Sequence, residues 1–560
     1  MVGRPPFAIC LIKMMKKFFC SPLVWMSTVF LLAIGYDLWC EKTLTGDFYN
    51  FPLDDSWIHL TFGRNFAFGL GFGVNPHEPA AASTSVLWSL WVALVHLLFQ
   101  KMGLKAVLAG VKTSGVMFSV LAFVGILRIF SSVTKEPFIL IMSGLLALTL
   151  YPFSWAALSG MEIPLTICVC VWALVFQLIG AEAPENGSSR RIAAVLWGMA
   201  VLCRPENLVP ALPAMFILGG KEKGGRAAGT AKLLGYALIL VIPYVMVHYR
   251  LSGQPFPHTF TSKMTERALP RLLMEKPLGE ALAMATTLPF SDLYLTFFFI
   301  IGESPVASLA LLFFPVIIWW KRTQLKSDVL GTQLSTLFIA WSFIPLQAFF
   351  VGLLMGPVWY TFQHGRYPAQ SIVLGGVAAL TIAIRLWQEI GKPRWIVIFL
   401  VLAGILAVDR QIELGTEYAL EGKNIRDMQV TLGRWLGESL PQDLTIAVSD
   451  IGAMSYFGRQ KLIDLEGLLD PAPNAFRRQG KMDVFLRKLK PDLLILFPMS
   501  YPELQKFPEE FKLVLQRVIS ENVTGGHNIK AVYQMPWTLF KPTSWPPLPT
   551  TIIPEAVPLR

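Results

Sequence analysis

Charge is scarce in this 560-residue chain: 15% of its residues are Asp, Glu, Lys or Arg, whereas 54% are hydrophobic and the mean hydropathy is +0.53. So little charge cannot clothe a soluble protein of this length, which excludes an ordinary globular enzyme and leaves a polytopic membrane protein. Cysteine is sparse too. The six, Cys10, Cys20, Cys40, Cys168, Cys170 and Cys203, all fall in the first half of the chain, so the C-terminal part has no disulfide. No Walker loop, His-Glu-x-x-His or Cys-x-x-Cys occurs, which removes the common soluble nucleotide and zinc chemistries. The net charge of +11 forms no continuous stripe, so nucleic acid is not an expected partner.

Long apolar runs are plentiful from Val24 to Val408, and the last 150 or so residues alternate short apolar and polar pieces. The chain therefore divides into a membrane part, 1–410, and a C-terminal soluble part, 411–560. Lys13, Lys16 and Lys17 before the first run, with no small-residue cleavage site, read as a signal anchor.

Orientation turns on "STSVLWSLWVALVHLLFQKM" (83–102). If it lies along the surface, Arg128/Lys135, Arg190/Arg191, Lys221/Lys223/Arg226, Lys321/Arg322/Lys326 and Arg385/Lys392/Arg394 share the side of the N-terminus, as the positive-inside rule requires. If it spans, all of them move outside. The surface placement predicts about eleven spans, near 22–40, 106–129, 137–157, 163–180, 191–204, 207–220, 231–249, 293–320, 332–355, 368–387 and 395–411. The N-terminus is then cytoplasmic and the 411–560 domain extracytoplasmic. The segments flanking "CRPEN" are shorter than the roughly 20 residues of a full crossing, and are expected to be broken or re-entrant.

The first external loop, 41–105, holds "FPLDDSWIHLTFGRNFAFGLGFGVNP" (51–76). Ile58, Phe62 and Phe66 recur four apart and make one apolar stripe, while Asp55 and His59 share a neighbouring face, so an interfacial helix is expected. Gly69, Gly71, Gly73 and Pro76 end it, and a second surface helix begins near Ser85. Asp54 or Asp55 can serve as a solvated cap. Alternatively one of them, kept at a low-dielectric boundary, is a general base or a metal ligand.

That stretch, followed by "STSVLW", "ALSGMEIPL", "LCRPENLVP", "QPFPHTFTSKM", "HGRYPAQ" and "VSDIGAMSYFGRQKLIDLEGLLDP" in order, resembles GT-C superfamily integral-membrane glycosyltransferases. The nearest branch is the arabinofuranosyltransferase-like bacterial one, and the likeness covers about residues 50–475. It implies a GT-C fold in the plasma membrane of a bacterium and inverting transfer of a sugar from a polyprenyl-phosphate donor to a glycan, lipid or protein hydroxyl at the outer face. Asp54 and Asp55 are by this likeness the catalytic candidates. "AAASTS" departs from the usual residues before "TS", which leaves acceptor contacts there open.

Such a transfer needs a base for the acceptor hydroxyl and cations for the departing phosphate. His59, Arg64, Glu162, Arg204, Glu206, His258, Lys263, His364, Arg366 and Tyr367 are the candidates for contact with donor phosphate or substrate. Arginine suits phosphate through its two-pronged donor geometry, lysine as a point charge. Each has a plainer alternative: Arg366 as a headgroup anchor, Lys263 as a solvated loop residue, His59 as a polar-face residue, Arg204 as a structural partner of Glu206 or Glu162. A divalent cation (Mg or Mn) on Asp54, Asp55 and Glu162 is a further expectation. A transporter or flippase of a lipid-linked substrate is the alternative class, though no inverted repeat is visible.

The last part begins with a helix, "NIRDMQVTLGRWLGESL". "LTIAVSD", "QKLIDLEG" and "PDLLILFP" read as strands, and "IKAVYQMPWTLFK" as one or two more, giving a small α/β domain with Asp450, Asp464 and Glu466 at strand ends. The proline-rich end "SWPPLPTTIIPEAVPLR" is expected to be extended.

Overall fold

The computed structural model describes residues 21–182, 185–253, 257–286, 288–303, 308, 314–315, 328–355, 362–389, 396–506, 510–524 and 526–549. The N-terminal lysines, much of the 293–320 span, the Lys321/Arg322/Lys326 group, Lys392 and Arg394, and the last residues of the proline-rich end lie outside them.

The helices used below are α1 (Pro22–Thr45), α2 (Asp54–Ala67), α3 (Val86–Phe99), α4 (Leu104–Phe130), α5 (Pro137–Leu148), α6 (Phe153–Leu158), α7 (Ile163–Glu182), α8 (Gly187–Cys203), α9 (Leu208–Gly219), α10 (Arg226–Ser252), α11 (Leu288–Glu303), α12 (Asp328–Met355), α13 (Ala369–Glu389) and α14 (Ile396–Ile425). Seven helical stretches among the described residues, on α1, α4, α7, α10, α11, α12 and α13, are long and apolar enough to cross a bilayer. This makes the chain an integral membrane protein.

The expected eleven spans do not all emerge as single long helices. The 137–157 segment divides into α5 and α6 beside Pro152, and α8 and α9 are 17 and 12 residues long. Between them Arg204 is extended (φ −155°, ψ 122°) and Pro205 opens a short 3-10 turn. The Ala200 carbonyl at the end of α8 accepts both the Arg204 N–H at 2.9 Å and the Asn207 side chain at 2.8 Å.

At 14 residues, α3 is about 21 Å long, short of the roughly 30 Å hydrocarbon core. It buries Trp88, Val92 and Val95 against the bundle and exposes Leu90, Leu94, Leu97 and Leu98. The membrane bundle packs tightly. A Cβ at Gly115 on α4 would overlap the Ala157 carbonyl oxygen of α6, so only glycine permits that backbone approach. Near the expected outer end, the buried Lys112 ammonium joins α4 to α1 and α14 by donating to Glu41 (2.9 Å), the Phe48 carbonyl (2.8 Å) and Tyr418 (2.8 Å).

Past α14, which carries the chain without a break across the expected 410/411 boundary, a π turn (Arg426–Val430) leads into α15 (Thr431–Ser439). A five-stranded sheet follows, with β1 (Thr445–Val448), β2 (Lys461–Asp464), β3 (Leu493–Leu496), β4 (Lys512–Val518) and β5 (Ile529–Gln534) in the order β2-β1-β3-β5-β4. β1 is parallel to β2 and β3, with Val448 opposite Asp464 and Ile495, whereas β5 is antiparallel to β3 and β4. Strand β4 went unread in the sequence, because three of its seven residues are polar or charged and its pairing with β5 is interrupted by an irregularity at Leu513/Leu515.

The 41–105 loop belongs partly to this sheet domain. Phe62, Val74 and Ala82 lie in the same apolar cluster as Trp435, Ile446, Val448 and Val532. The Asn75 side chain donates to the Leu462 carbonyl and accepts from the Leu462 N–H, both at 3.0 Å, as a neighbouring strand would. The α2 stripe expected to face lipid is therefore divided: Phe62 is buried under the sheet domain and Phe66 remains 49% exposed.

Candidate active site at the first external loop

Two adjacent carboxylates at the start of a helix project about 100° apart, and the structure sends them to different partners. Both belong to the first turn of α2, and neither caps that helix: Leu53 occupies the N-cap position, without a side-chain hydrogen bond. Asp54 accepts from the backbone N–H groups of Gly452 (2.7 Å) and Ala453 (2.8 Å), the first residues of helix α16 (Gly452–Phe457). It is thus a cap, but for a helix almost 400 residues away. Burial, and after it the charge of Asp450, pushes the Asp54 carboxyl above its ordinary range, against the opposing pull of Lys530 and the two N–H groups.

Asp55 faces the other way. It accepts a 2.7 Å bond from Nη2 of Arg366, which also donates to the Tyr367 hydroxyl at 2.9 Å. Burial alone would raise the Asp55 carboxyl, but Arg366 and Lys263 outweigh it and hold the group at about 2. Lys263 donates to the same Tyr367 hydroxyl at 2.9 Å. The Tyr367 ring lies 4.9 Å from the Arg366 guanidinium, 4.8 Å from that of Arg204 and 5.4 Å from the Lys263 ammonium. Burial would raise the phenol, and Arg366 with Lys263 reverses the sign and lowers it.

Arg366 is only 5% exposed, and its Nε and Nη1 have no hydrogen-bond partner in the structure. Two buried, cationic nitrogens without acceptors carry a substantial desolvation cost, of about 1–3 kcal/mol each or more. Each is a charged donor available to an anionic oxygen such as a phosphate offers.

Beneath this cluster, Arg204 is bound by Glu162 (2.9 Å) and Glu206 (2.5 Å), and donates weakly to the Arg366 carbonyl (3.4 Å). Glu162 also lies 3.4 Å from His59, whose other ring nitrogen is 3.1 Å from the Ser89 hydroxyl on α3. Burial would raise Glu162, yet nearby His59 and Arg204 together hold it below the carboxylate range. With Arg204 balanced by two glutamates, it serves as a fixed floor. Arg366 and Lys263 against Asp55 leave one positive charge for a ligand.

Several expected residues lie elsewhere. Arg64 donates to the Tyr456 carbonyl (2.6 Å) and stacks 4.6 Å from the Tyr456 ring, so it fastens α2 to the sheet domain. The His258 backbone N–H donates to the Ala81 carbonyl at 2.9 Å, and its ring is near His248. His364, at positive φ like its neighbour Gln363, turns to Glu421 (3.0 Å) and the Trp155 ring (4.7 Å). Nor are Asp54, Asp55 and Glu162 gathered as metal ligands. Among the described residues no three His, Cys, Asp or Glu side chains are placed to share an ion, and the oxygens of Asp54 and Asp55 are turned toward N–H donors.

Sequence reading missed the docking set and the acidic row on α14. Trp57, fully buried, packs against Phe51, Tyr456 and Phe457, and Thr61 meets Ser455 at 2.9 Å. No local pattern announces contacts of that sequence separation. The row Arg410, Glu413, Glu417 and Glu421 was legible in principle, since three- and four-residue steps put those groups on one helix face.

The arrangement, an integral-membrane bundle with a short helix pair in its 41–105 loop and a sheet domain clamped upon it, is shared with solved structures. The chain is similar to ArnT from Cupriavidus metallidurans bound to undecaprenyl phosphate, with 12% identity and a TM-score of 0.52 over 92% of this chain and 99% of that one. It matches the apo form of the same protein with a TM-score of 0.51 at 13% identity, over 90% and 97% of the two chains. The archaeal oligosaccharyltransferase AglB from Archaeoglobus fulgidus, in complex with an inhibitory peptide and a dolichol-phosphate, aligns with a TM-score of 0.50 and 12% identity over 88% of this chain and 73% of that one. At such identities the likeness concerns the fold. Residues 423–539 match the model of a domain of unknown function, DUF8728. No curated protein matches the chain.

Proposed function

We propose that this protein is a polyprenyl-phosphate-dependent glycosyltransferase acting at the outer face of a bacterial plasma membrane. The observation that carries the reading is Arg366, buried, with Nη2 on the Asp55 carboxylate and its other two nitrogens without acceptors. Cationic donors are thereby set beside a base, as transfer from a glycosyl phosphate needs. Structures of the same fold with undecaprenyl phosphate or dolichol-phosphate bound make a lipid phosphate a reasonable occupant.

In the proposed step the acceptor hydroxyl oxygen attacks the anomeric carbon and the bond from that carbon to the phosphate oxygen breaks. The electron pair leaves with the phosphate, which Arg366 and Lys263 hold. The hydroxyl proton passes to Asp55, whose affinity for it rises once a phosphate shares Arg366. Tyr367 keeps the two cations together, and Glu162, Arg204, Glu206 and His59 fix the floor. Attack from the face opposite the phosphate gives inversion. Asp54 is assigned to domain docking. The finer parts of the reading are a body of about eleven spans over 1–410, an extracytoplasmic domain over 411–560, a cytoplasmic N-terminus, and an arabinofuranose-type sugar. No metal is assigned to the proposed step, because among the described residues Asp54, Asp55 and Glu162 do not converge on an ion.

The test uses the purified full-length protein in lipid nanodiscs with a panel of labelled polyprenyl-phosphate sugars. The expected result is release or transfer of one sugar, lost by about 100-fold or more in Arg366→Ala and partly kept in Arg366→Lys. Absence of release from every donor, or full activity in Arg366→Ala, would refute the assignment. Movement of the lipid across the bilayer without a new bond would favour a flippase.

A further inference from the structure

A second lipid-sized feature lies behind the site. Between α1, the α5 to α6 turn and α14 runs a crevice of about 600 Å³, within the roughly 300–1,000 Å³ typical of ligand sites. Its walls are apolar, with Phe30 and Ala33 from α1, Leu146 from α5, and Gly404, Ala407 and Leu414 from α14. Its polar end is formed by Tyr151, Glu303 and Arg410.

The charge at that end is opposite to what a phosphate requires. Arg410 donates to Glu303 at 2.7 and 3.0 Å, and to Glu413 and Glu417 at 3.2 Å each. One guanidinium thus faces three carboxylates, and Glu421 follows one turn later on the same helix, bound to His364 and Trp155. Glu303 and Arg410 line the crevice and balance each other, while Glu413 and Glu417, beside Arg410, and Glu421, held by His364, add negative charge next to that end, which disfavours an anionic head. Arg366 and Lys263 have the reverse balance. Tyr151 lines the crevice, is 2% exposed, and has a hydroxyl without a hydrogen-bond partner.

We infer that this crevice holds the chain of a lipid acceptor whose head is hydroxylated and carries no net negative charge, and that the Tyr151 hydroxyl receives that head. The inference rests on the transferase reading for the word acceptor, but the crevice and its charge stand apart from it. The two lipids of the reaction are sorted by sign: the phosphate carrier goes to the cationic cluster, and the uncharged hydroxylated lipid to the acidic mouth. Apolar chains supply affinity on both sides without discrimination, so the heads decide.

The experiment is photo-crosslinking of the full-length protein in nanodiscs, with diazirine-tailed diacylglycerol compared with equally tailed phosphatidic acid. Diacylglycerol is expected to label peptides from 142–154 and 404–414 at least tenfold more than phosphatidic acid. Ala407→Trp, which fills the crevice, is expected to abolish that labelling. Glu413→Gln/Glu417→Gln should erase most of the head preference, and Glu413→Lys/Glu417→Lys should reverse it. Equal labelling by both lipids, or labelling indifferent to Ala407→Trp, overturns the inference. Hydrolysis of the labelled sugar donor by water is read in parallel. If it persists in Ala407→Trp while transfer to diacylglycerol is lost, the crevice serves the acceptor, and if transfer is unchanged that role is wrong. Absence of hydrolysis in the unaltered protein counts against the transferase reading alone, whatever the crosslinking shows.

Discussion

Asp54→Asn and Asp55→Asn should separate cleanly, although the two residues are neighbours. Asparagine at 54 keeps one acceptor oxygen, so of the bonds from Gly452 (2.7 Å) and Ala453 (2.8 Å) it retains one and turns an amide N–H₂ toward the other donor. A lost hydrogen bond to a charged group is worth about 1.5–3 kcal/mol. Part of this returns because the carboxylate was held against burial and the charge of Asp450, which leaves an expected loss of about 1–2 kcal/mol in the docking of the sheet domain. With the domain docked, turnover should fall less than about tenfold, since one tenfold step is about 1.4 kcal/mol of barrier. Asp55→Asn removes the proposed base and should lower turnover by about 100- to 10,000-fold. It should leave the sheet domain in place, because Asp55 contacts Arg366 and not Gly452. Initial rates of transfer from a labelled donor in nanodiscs give the first quantity, and limited proteolysis around residue 430 gives the second. If Asp54→Asn lost as much turnover as Asp55→Asn with proteolysis unchanged, the division of labour between them would be wrong.

Two further outcomes follow from the same geometry. A Cβ at Gly452 would overlap the backbone carbonyl oxygen of Asp54, so Gly452→Ala should loosen α2 from the sheet domain by about 1–3 kcal/mol or more, seen as faster proteolysis and a lower unfolding midpoint. Asp55 is held at about 2, below its ordinary 3.8; a lowered carboxyl binds its proton less tightly folded than unfolded. Its stabilising share is therefore complete above about 4 and lost as pH falls toward 2. An acid limb of kcat/KM due to Asp55 should accordingly lie below about pH 4 and move upward in Arg366→Lys; a limb near pH 6 that ignores Arg366 would contradict the pairing.

Composition and period were enough for the architecture. Scarce charge and repeated apolar runs dictate a membrane bundle, because a bilayer demands long uncharged helices whatever their neighbours. The pair of short helices at the outer loop, the interruption at "CRPEN" and four of the five strands were equally legible, as each depends on local spacing and on where proline can stand. The count of spans was less so, since proline breaks divide an apolar run into pieces whose lengths the sequence does not announce.

What only the tertiary structure decided is the use of each polar group. In the sequence Asp54 and Asp55 are the same residue type, side by side; one helical step sends the first to the N–H groups of Gly452 and Ala453 and the second to Arg366. Arg64 and Arg366 are likewise both buried arginines, yet Arg64 is bound to backbone carbonyls of the sheet domain and Arg366 keeps two N–H groups free. Burial follows from hydrophobic pattern, which is local and periodic, whereas a hydrogen-bond partner hundreds of residues away is fixed only when the folded chain brings the two together. The sequence alone therefore determined a membrane body with a soluble α/β appendix. Which carboxylate holds the domains together, which faces the cations, and which end of the crevice is acidic were settled by packing.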